Sequence, residues 1–156
     1  VMIEDQSWPK RCGHMAGKAV ISAEEMVEKI HGAVAARRDT DFVIKSRTDS
    51  LATHGIAEVV RRLNLYAEAG ADLLFADALL SEQDIATVIK NVSKPLCVNM
   101  GFGIRRRATT PLISPARLAE LGALTRPNTP KEFSDFRDSQ IAFFAEMVKS
   151  ANIRIE

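Results

Sequence analysis

Residues 66–78 read YAEAGADLLFADA, from Tyr66 to Ala78, and this stretch decides the fold. Its first half closes a helix. Val59, Leu63 and Tyr66 fall on one helical face, and Gly70 stands where a left-handed cap is needed. Its second half, Leu73-Leu74-Phe75-Ala76, is apolar without alternation, as a strand covered on both faces must be. An acid, Asp77, comes straight after. A helix that hands over within a few residues to such a strand is half of a βα repeat.

The same alternation extends in both directions. Upstream, Gly55 to Ala69 reads as the helix, and Phe42-Val43-Ile44 as a strand leading into Ser46-Arg47-Thr48-Asp49. Before that, Ser22 and Glu25 form a capping box that opens a helix running to about Arg38, with Met26, Val27, Ile30 and Val34 on one face. Val1 to Glu4 reads as the first strand. Downstream, Ser81 caps another helix, Pro95 to Asn99 reads as a strand, and Ser114-Pro115 opens a helix that Gly122 ends. Thr129-Pro130 then opens a long helix over residues 130–150, carrying Phe133, Phe136, Phe143, Phe144, Met147 and Val148. No strand is legible between Gly122 and Thr129. Two parallel-sheet architectures suit this order, a small doubly wound sheet and part of a (β/α)8 barrel of the TIM type.

Bulk properties narrow the function. The 156 residues are 46% hydrophobic and 26% charged with a net charge of +1, which argues against nucleic-acid or anionic-membrane partners. No segment reads as a secretion signal or a membrane-length apolar run. Cys12 and Cys97 suit neither a disulfide framework nor a zinc site, so the expected compartment is the cytoplasm or another reducing, soluble one. Arg105-Arg106-Arg107 reads as a solvated loop.

Either architecture places function at the carboxyl ends of the strands. Those ends carry Glu4 and Asp5, Arg47 and Asp49, Asp77, and Asn99. Just beyond the first strand stands KRCGH. A thiol becomes a proton-transfer group near neutral pH when cations lower its pKa, and Lys10, Arg11 and His14 flank Cys12. Gly13 lets the backbone bend there or approach a ligand. Arg47 offers a planar fork for a carboxylate, and Glu4 and Asp5 offer hard oxygens for a dication. Blander readings stand beside these: Glu4 paired with a lysine, Arg47 in an internal salt bridge, Cys12 inert. Cys97, between Leu96 and Val98, reads as a small core residue, and His31 and His54 as structural or exposed.

The segment IEDQSWPKRCGHMAGKAV resembles the signature of the isocitrate lyase and phosphoenolpyruvate mutase superfamily, in its carbon–carbon lyase branch. That branch includes methylisocitrate lyase, dimethylmalate lyase and oxaloacetate hydrolase. DFVIKSRTDS, YAEAGADLLFADA, PLCVNM and TTPLISPARLAELG are similar to later family segments, so the likeness covers roughly residues 1 to 122. It implies a partial (β/α)8 barrel of about four to five βα units, one domain over residues 1–156, and a last helix at 130–150 that is swapped or lies at an interface. It implies Mg²⁺-dependent cleavage of a small 2-oxo or 2-hydroxy di- or tricarboxylate through an enolate. Glu4 would support the metal. Lys10, Cys12, Gly13 and His14 would form a gating loop, with Cys12 moving the proton. Arg47, Asp77 and Asn99 would bind substrate, Asp77 standing where the lyase branch has glutamate. The family's first strands and their metal-binding aspartates have no counterpart in this sequence, so the chain is expected to be the later part of such an enzyme, its first half supplied by another chain or lying outside this sequence, and a homo-oligomer or a complementing chain is expected as partner. The competing expectation is a degenerate relative that binds a small carboxylate or a partner protein without turnover.

Overall fold

Side-chain caps set the helix starts. A computed structural model describes residues 1–11, 17–79, 81–98, 114–122 and 129–150. Ser22 accepts from the Glu25 N–H at 3.1 Å and opens α1 (Ala23–Ala36). Ser81 accepts from the Asp84 N–H at 3.0 Å and opens α3 (Glu82–Asn91). Ser114 accepts from the Arg117 N–H and opens α4 (Pro115–Glu120). Each cap satisfies one of the amide groups that a helix start leaves without a partner. Between α1 and α3 lies α2 (Leu51–Glu68). It begins earlier than the expected Gly55, because the Thr53 and His54 amides already bond to the Ser50 carbonyl. Gly55 (φ 78°, ψ 177°) breaks the helical path inside it and separates a short opening turn from the expected longer helix, which starts at this break. Gly70, at φ +105°, is the left-handed cap read from the sequence.

The strands are β1 (Met2–Glu4), β2 (Lys45–Thr48), β3 (Leu73–Ala76) and β4 (Leu96–Cys97). They pair in parallel in the order β1-β2-β3-β4. The second strand lies later than the expected Phe42–Ile44. Phe42 donates to the Asp39 carbonyl in a turn, and the Ile44 amide goes to the Asp72 carboxylate. A doubly wound sheet reverses its strand order at a switch point; this sheet does not. Helix α1 packs on α2 and α2 on α3, in chain order. The expected α/β parallel sheet with a long final helix is borne out, and its unreversed order is that of a barrel wall.

Register divides the sheet into two faces. Glu4 pairs with Arg47, Arg47 with Phe75, and Phe75 with Cys97, so these side chains form one row on one face. On the other face, Ser46, Thr48, Leu74 and Ala76 are buried beneath the helices. The core there is built from Met26, Ile30, Val59, Leu63, Tyr66, Leu74, Ile85 and Val88. Cys97 is half-buried on the row with Arg47, rather than inside that core.

The chain falls into two compact units, residues 1–124 and 125–156. The second contains α5 (Pro130–Ser150), with Thr129 and Glu132 in a reciprocal cap at its start. Phe133, Phe136, Ile141, Phe143, Phe144, Met147 and Val148 on this helix are all exposed. Among the described residues, no helix is long and apolar enough to cross a membrane.

Candidate functional site

The strand ends converge on Arg47. Its Nε and Nη2 donate to the two oxygens of Asp49 at 2.8 and 2.9 Å, a bidentate fork. The same guanidinium lies 3.3 Å from Glu4 on one side and 3.3 Å from Asp77 on the other. The Phe75 ring supports it from the neighbouring strand, 5.5 Å from Cζ, and Lys45 lies 5.6 Å from the same ring. Burial works to lower the Arg47 pKa, but the bonds to Asp49 and the charges of Asp77, Asp49 and Glu4 outweigh it and push it up. Burial likewise acts to raise the Asp49 pKa, and is outweighed by Arg47 and Lys18, which hold the carboxyl below the usual range. The arrangement therefore carries a permanent, oriented cation at the strand ends.

Two lysines complete the cluster. Lys10 meets Glu4 at 2.9 Å. Lys18, only 8% exposed, reaches Asp49 at 3.3 Å and Asp77 at 3.8 Å. The two lysines flank residues 12–16. The stems of this segment are tied by an antiparallel bridge between Gln6 and Val20 and by the Ser7 amide on the Ala19 carbonyl. The Arg11 amide donates to the Gln6 side chain. Asp77 Oδ2 is buried, with Arg47 and Lys18 as ionic neighbours but no hydrogen-bond partner among the described residues, so it could accept from a ligand hydroxyl.

Of the residues expected at the site, Glu4, Lys10, Arg47 and Asp77 come together. Cys12, Gly13, His14 and Asn99 lie outside the described residues, as does the Arg105–Arg107 run. His31 and His54 are exposed and lie on α1 and α2, with Glu28 and Thr53 as their neighbours. Sequence reasoning missed Lys18. Its signal was faint: a lysine directly before the apolar run Ala19-Val20-Ile21. It also grouped Asp5 with Glu4, whereas Asp5 is fully buried and turned toward α2, where Tyr66 and Arg62 donate to it.

These residues by themselves do not suit a Mg²⁺ ion. Among the described residues, no group of three or more His, Cys, Asp or Glu side chains is placed to hold a metal. The charges of Glu4, Asp49 and Asp77 are already balanced by Lys10, Lys18 and Arg47. A hard dication needs surplus carboxylate oxygen.

The family model described as phosphoenolpyruvate phosphomutase matches residues 1–125. The chain belongs to that family. Within it, the chain is 44% identical to the petal death protein of Dianthus caryophyllus over 122 residues, which cover 78% of this chain and 37% of that protein. It is 45% identical to 2-methylisocitrate lyase of Aeropyrum pernix over 123 residues, 78% of this chain and 38% of that one. The crystal structure of 2,3-dimethylmalate lyase, a member of the phosphoenolpyruvate mutase and isocitrate lyase superfamily, superposes with a TM-score of 0.71 at 35% identity. It covers 97% of this chain and 50% of that one. A phosphonopyruvate hydrolase complex with oxalate and Mg²⁺ superposes at 0.58 with 25% identity, over 96% of this chain and 50% of that one. The chain thus spans about two fifths of the length of the curated family members it matches. The carbon–carbon lyases named among them are the branch whose signature segments this sequence resembles.

Proposed function

We propose that the protein is a carbon–carbon lyase for a small 2-oxo or 2-hydroxy di- or tricarboxylate. The observation that carries this reading is the Arg47 guanidinium, clamped by Asp49 and set between Glu4 and Asp77 at the strand ends. In this reading Arg47 holds the ligand carboxylate and the enolate oxygen, where negative charge grows as the bond breaks. Asp77 Oδ2 accepts the hydrogen of a substrate hydroxyl, and Asn99 contacts the same ligand. As that hydroxyl, the substrate's own or one supplied by water adding to a 2-oxo carbon, gives its proton to Asp77, its oxygen becomes a carbonyl and the adjacent carbon–carbon bond breaks. The electron pair stays as the enolate, and Cys12 returns a proton to its carbon. Lys10 and His14 favour the thiolate that results, and Gly13 gives the segment its freedom to close. Mg²⁺ enters this reading from the phosphonopyruvate hydrolase complex rather than from the donor set on these strands, with Glu4 the carboxylate that would support it. A reducing, soluble compartment suits the reactive thiol, and a homo-oligomer or complementing chain suits the exposed apolar side chains of α5.

The balanced charges at the strand ends favour one other reading, a carboxylate-binding relative without turnover. Incubating the protein with 2-methylisocitrate, 2,3-dimethylmalate and oxaloacetate, with and without MgCl₂, separates the two. The lyase reading expects release of a 2-oxo acid or oxalate from one of them. It expects Cys12→Ser to abolish that release while oxalate binding, followed by calorimetry, is retained. No product from any of the three, or equal turnover with serine at position 12, overturns it.

A further inference from the structure

We propose that Asp5 is a positioning residue for Arg47, acting through Asp49. The proposal rests on Arg47 being the ligand anchor described above. A free arginine side chain samples many rotamers, and freezing it costs side-chain entropy. Here the Asp49 carboxylate freezes it, so what matters is what holds Asp49. Asp49 lies one residue past the end of β2, beyond the sheet ladder. Its backbone N–H goes to Asp5 Oδ1 at 2.9 Å. The hydroxyl of the preceding Thr48 goes to Asp5 Oδ2 at 2.7 Å. The Asp5 side chain thus takes over where the β1–β2 ladder stops, and fixes the direction in which Asp49 leaves the strand.

The orientation of Asp5 is itself determined from the opposite side. Tyr66 OH and Arg62 Nη1, both on α2, donate to its Oδ2 at 2.8 and 3.1 Å. Burial, and after it the Asp5 charge, push the Tyr66 pKa far up, so the phenol remains a donor. Arg62 Nη1 also donates to the Ile21 carbonyl at 2.9 Å, while the Ile21 amide donates to the Asp5 carbonyl at 2.8 Å. Ile21 is therefore tied to Asp5 twice, directly at the Asp5 backbone carbonyl and, through Arg62, at the Asp5 carboxylate. Asp5, Thr48, Asp49 and Tyr66 are all fully buried, so water does not substitute for these bonds. Among the described residues nothing places Asp5 itself against the Arg47 guanidinium. Its effect on a ligand runs through Asp49.

The test uses Asp5→Asn, which keeps the volume but turns one acceptor oxygen into a donor. Two measurements are made on the protein. The first is hydrogen exchange at the Arg47 Nε–H by nitrogen-15 NMR, which needs no ligand. The second is oxalate affinity by calorimetry. Exchange is expected to speed up about tenfold, and affinity to fall about tenfold. In an Arg47→Lys background the same substitution is expected to change oxalate affinity less than about twofold, because the pathway ends at the guanidinium. Val88→Ala, a core deletion in α3, should move neither readout. Unchanged exchange in Asp5→Asn, an undiminished loss of affinity in the Arg47→Lys background, or an equal effect from Val88→Ala overturns the proposal. If Asp5→Asn does not fold, Tyr66→Phe removes one donor and leaves the ring. About threefold faster exchange is then expected, and unchanged exchange overturns the proposal. A parent protein that does not bind oxalate defeats the anchor reading instead, and the exchange rate alone then decides the positioning.

Discussion

At the scale of single residues, depth decides what each charge does. Asp49 is buried and bonded to two cations, so removing it strands Arg47 and Lys18. We expect Asp49→Ala to lower stability by about 3 kcal/mol in urea unfolding. Lys131 and Asp135 form a shorter contact, 2.6 Å, but on the exposed face of α5, and Lys131→Ala should change stability by less than about 0.5 kcal/mol. Equal effects would mean that burial does not set the strength of these pairs. The sign of the pH dependence follows from the same carboxylates. The Asp49 pKa is depressed, and Glu58 is held at about 2, first by its hydrogen bond from Arg61 and then, against burial, by that from Arg62. Groups depressed in the folded state contribute fully above their unfolded values, about 4, and lose that contribution as pH falls through the folded ones. Stability should therefore hold level from neutral pH to about 4 and drop below it, with a smaller drop in Asp49→Ala. Glu4, Arg47 and Asp77 were legible because strand ends are where a parallel sheet keeps its chemistry. Asp5 was misplaced although its signal was present: successive strand residues point to opposite faces, so Asp5 could not share the face of Glu4. Lys18 was not legible, because its partners come from β2 and β3 and only tertiary structure brings them near.

At the scale of elements, local chemistry was the readable part. The serine caps of α1, α3 and α4 and the glycine after α2 were visible in sequence because each acts within a few residues. Strand boundaries were less visible, since the start of β2 depends on the Asp72 carboxylate, far along the chain, capturing the Ile44 amide. Ser22→Ala and Ser81→Ala should each lower stability by about 1 kcal/mol, read from the urea midpoint; no change would show that water replaces the caps. The glycines separate two effects. A Cβ at Gly55 would meet nothing within 4 Å, so Gly55→Ala tests backbone strain alone, about 1–2 kcal/mol. A Cβ at Gly70 would lie 2.9 Å from Val34 Cγ2, so Gly70→Ala adds a collision to the strain and should lose more. Equal losses would mean that Val34 moves aside freely.

At the scale of the whole molecule, the sheet order explains why one end of the strands collects the chemistry and the other face collects the core. The same sheet has open edges at β1 and β4 among the described residues, and β1 carries the exposed Met2. The phenylalanines of α5 are exposed as well, and open strand edges and exposed apolar side chains are features that a second copy can cover. We expect light scattering after size exclusion to give an oligomer, and Phe133→Ser with Phe136→Ser to shift it toward the monomer. A monodisperse monomer of the parent chain would contradict this. The stem that joins Gln6 to Val20 has a different consequence. Trp8, the one tryptophan of the sequence, stands on that stem, 86% exposed and two residues from Lys10. The protein thus carries its own fluorophore, exposed to water, a few residues before Cys12. A shift of that emission on adding oxalate would report events at the stem in real time without any attached dye, and Trp8→Phe would remove the tryptophan band and leave only the emission of Tyr66.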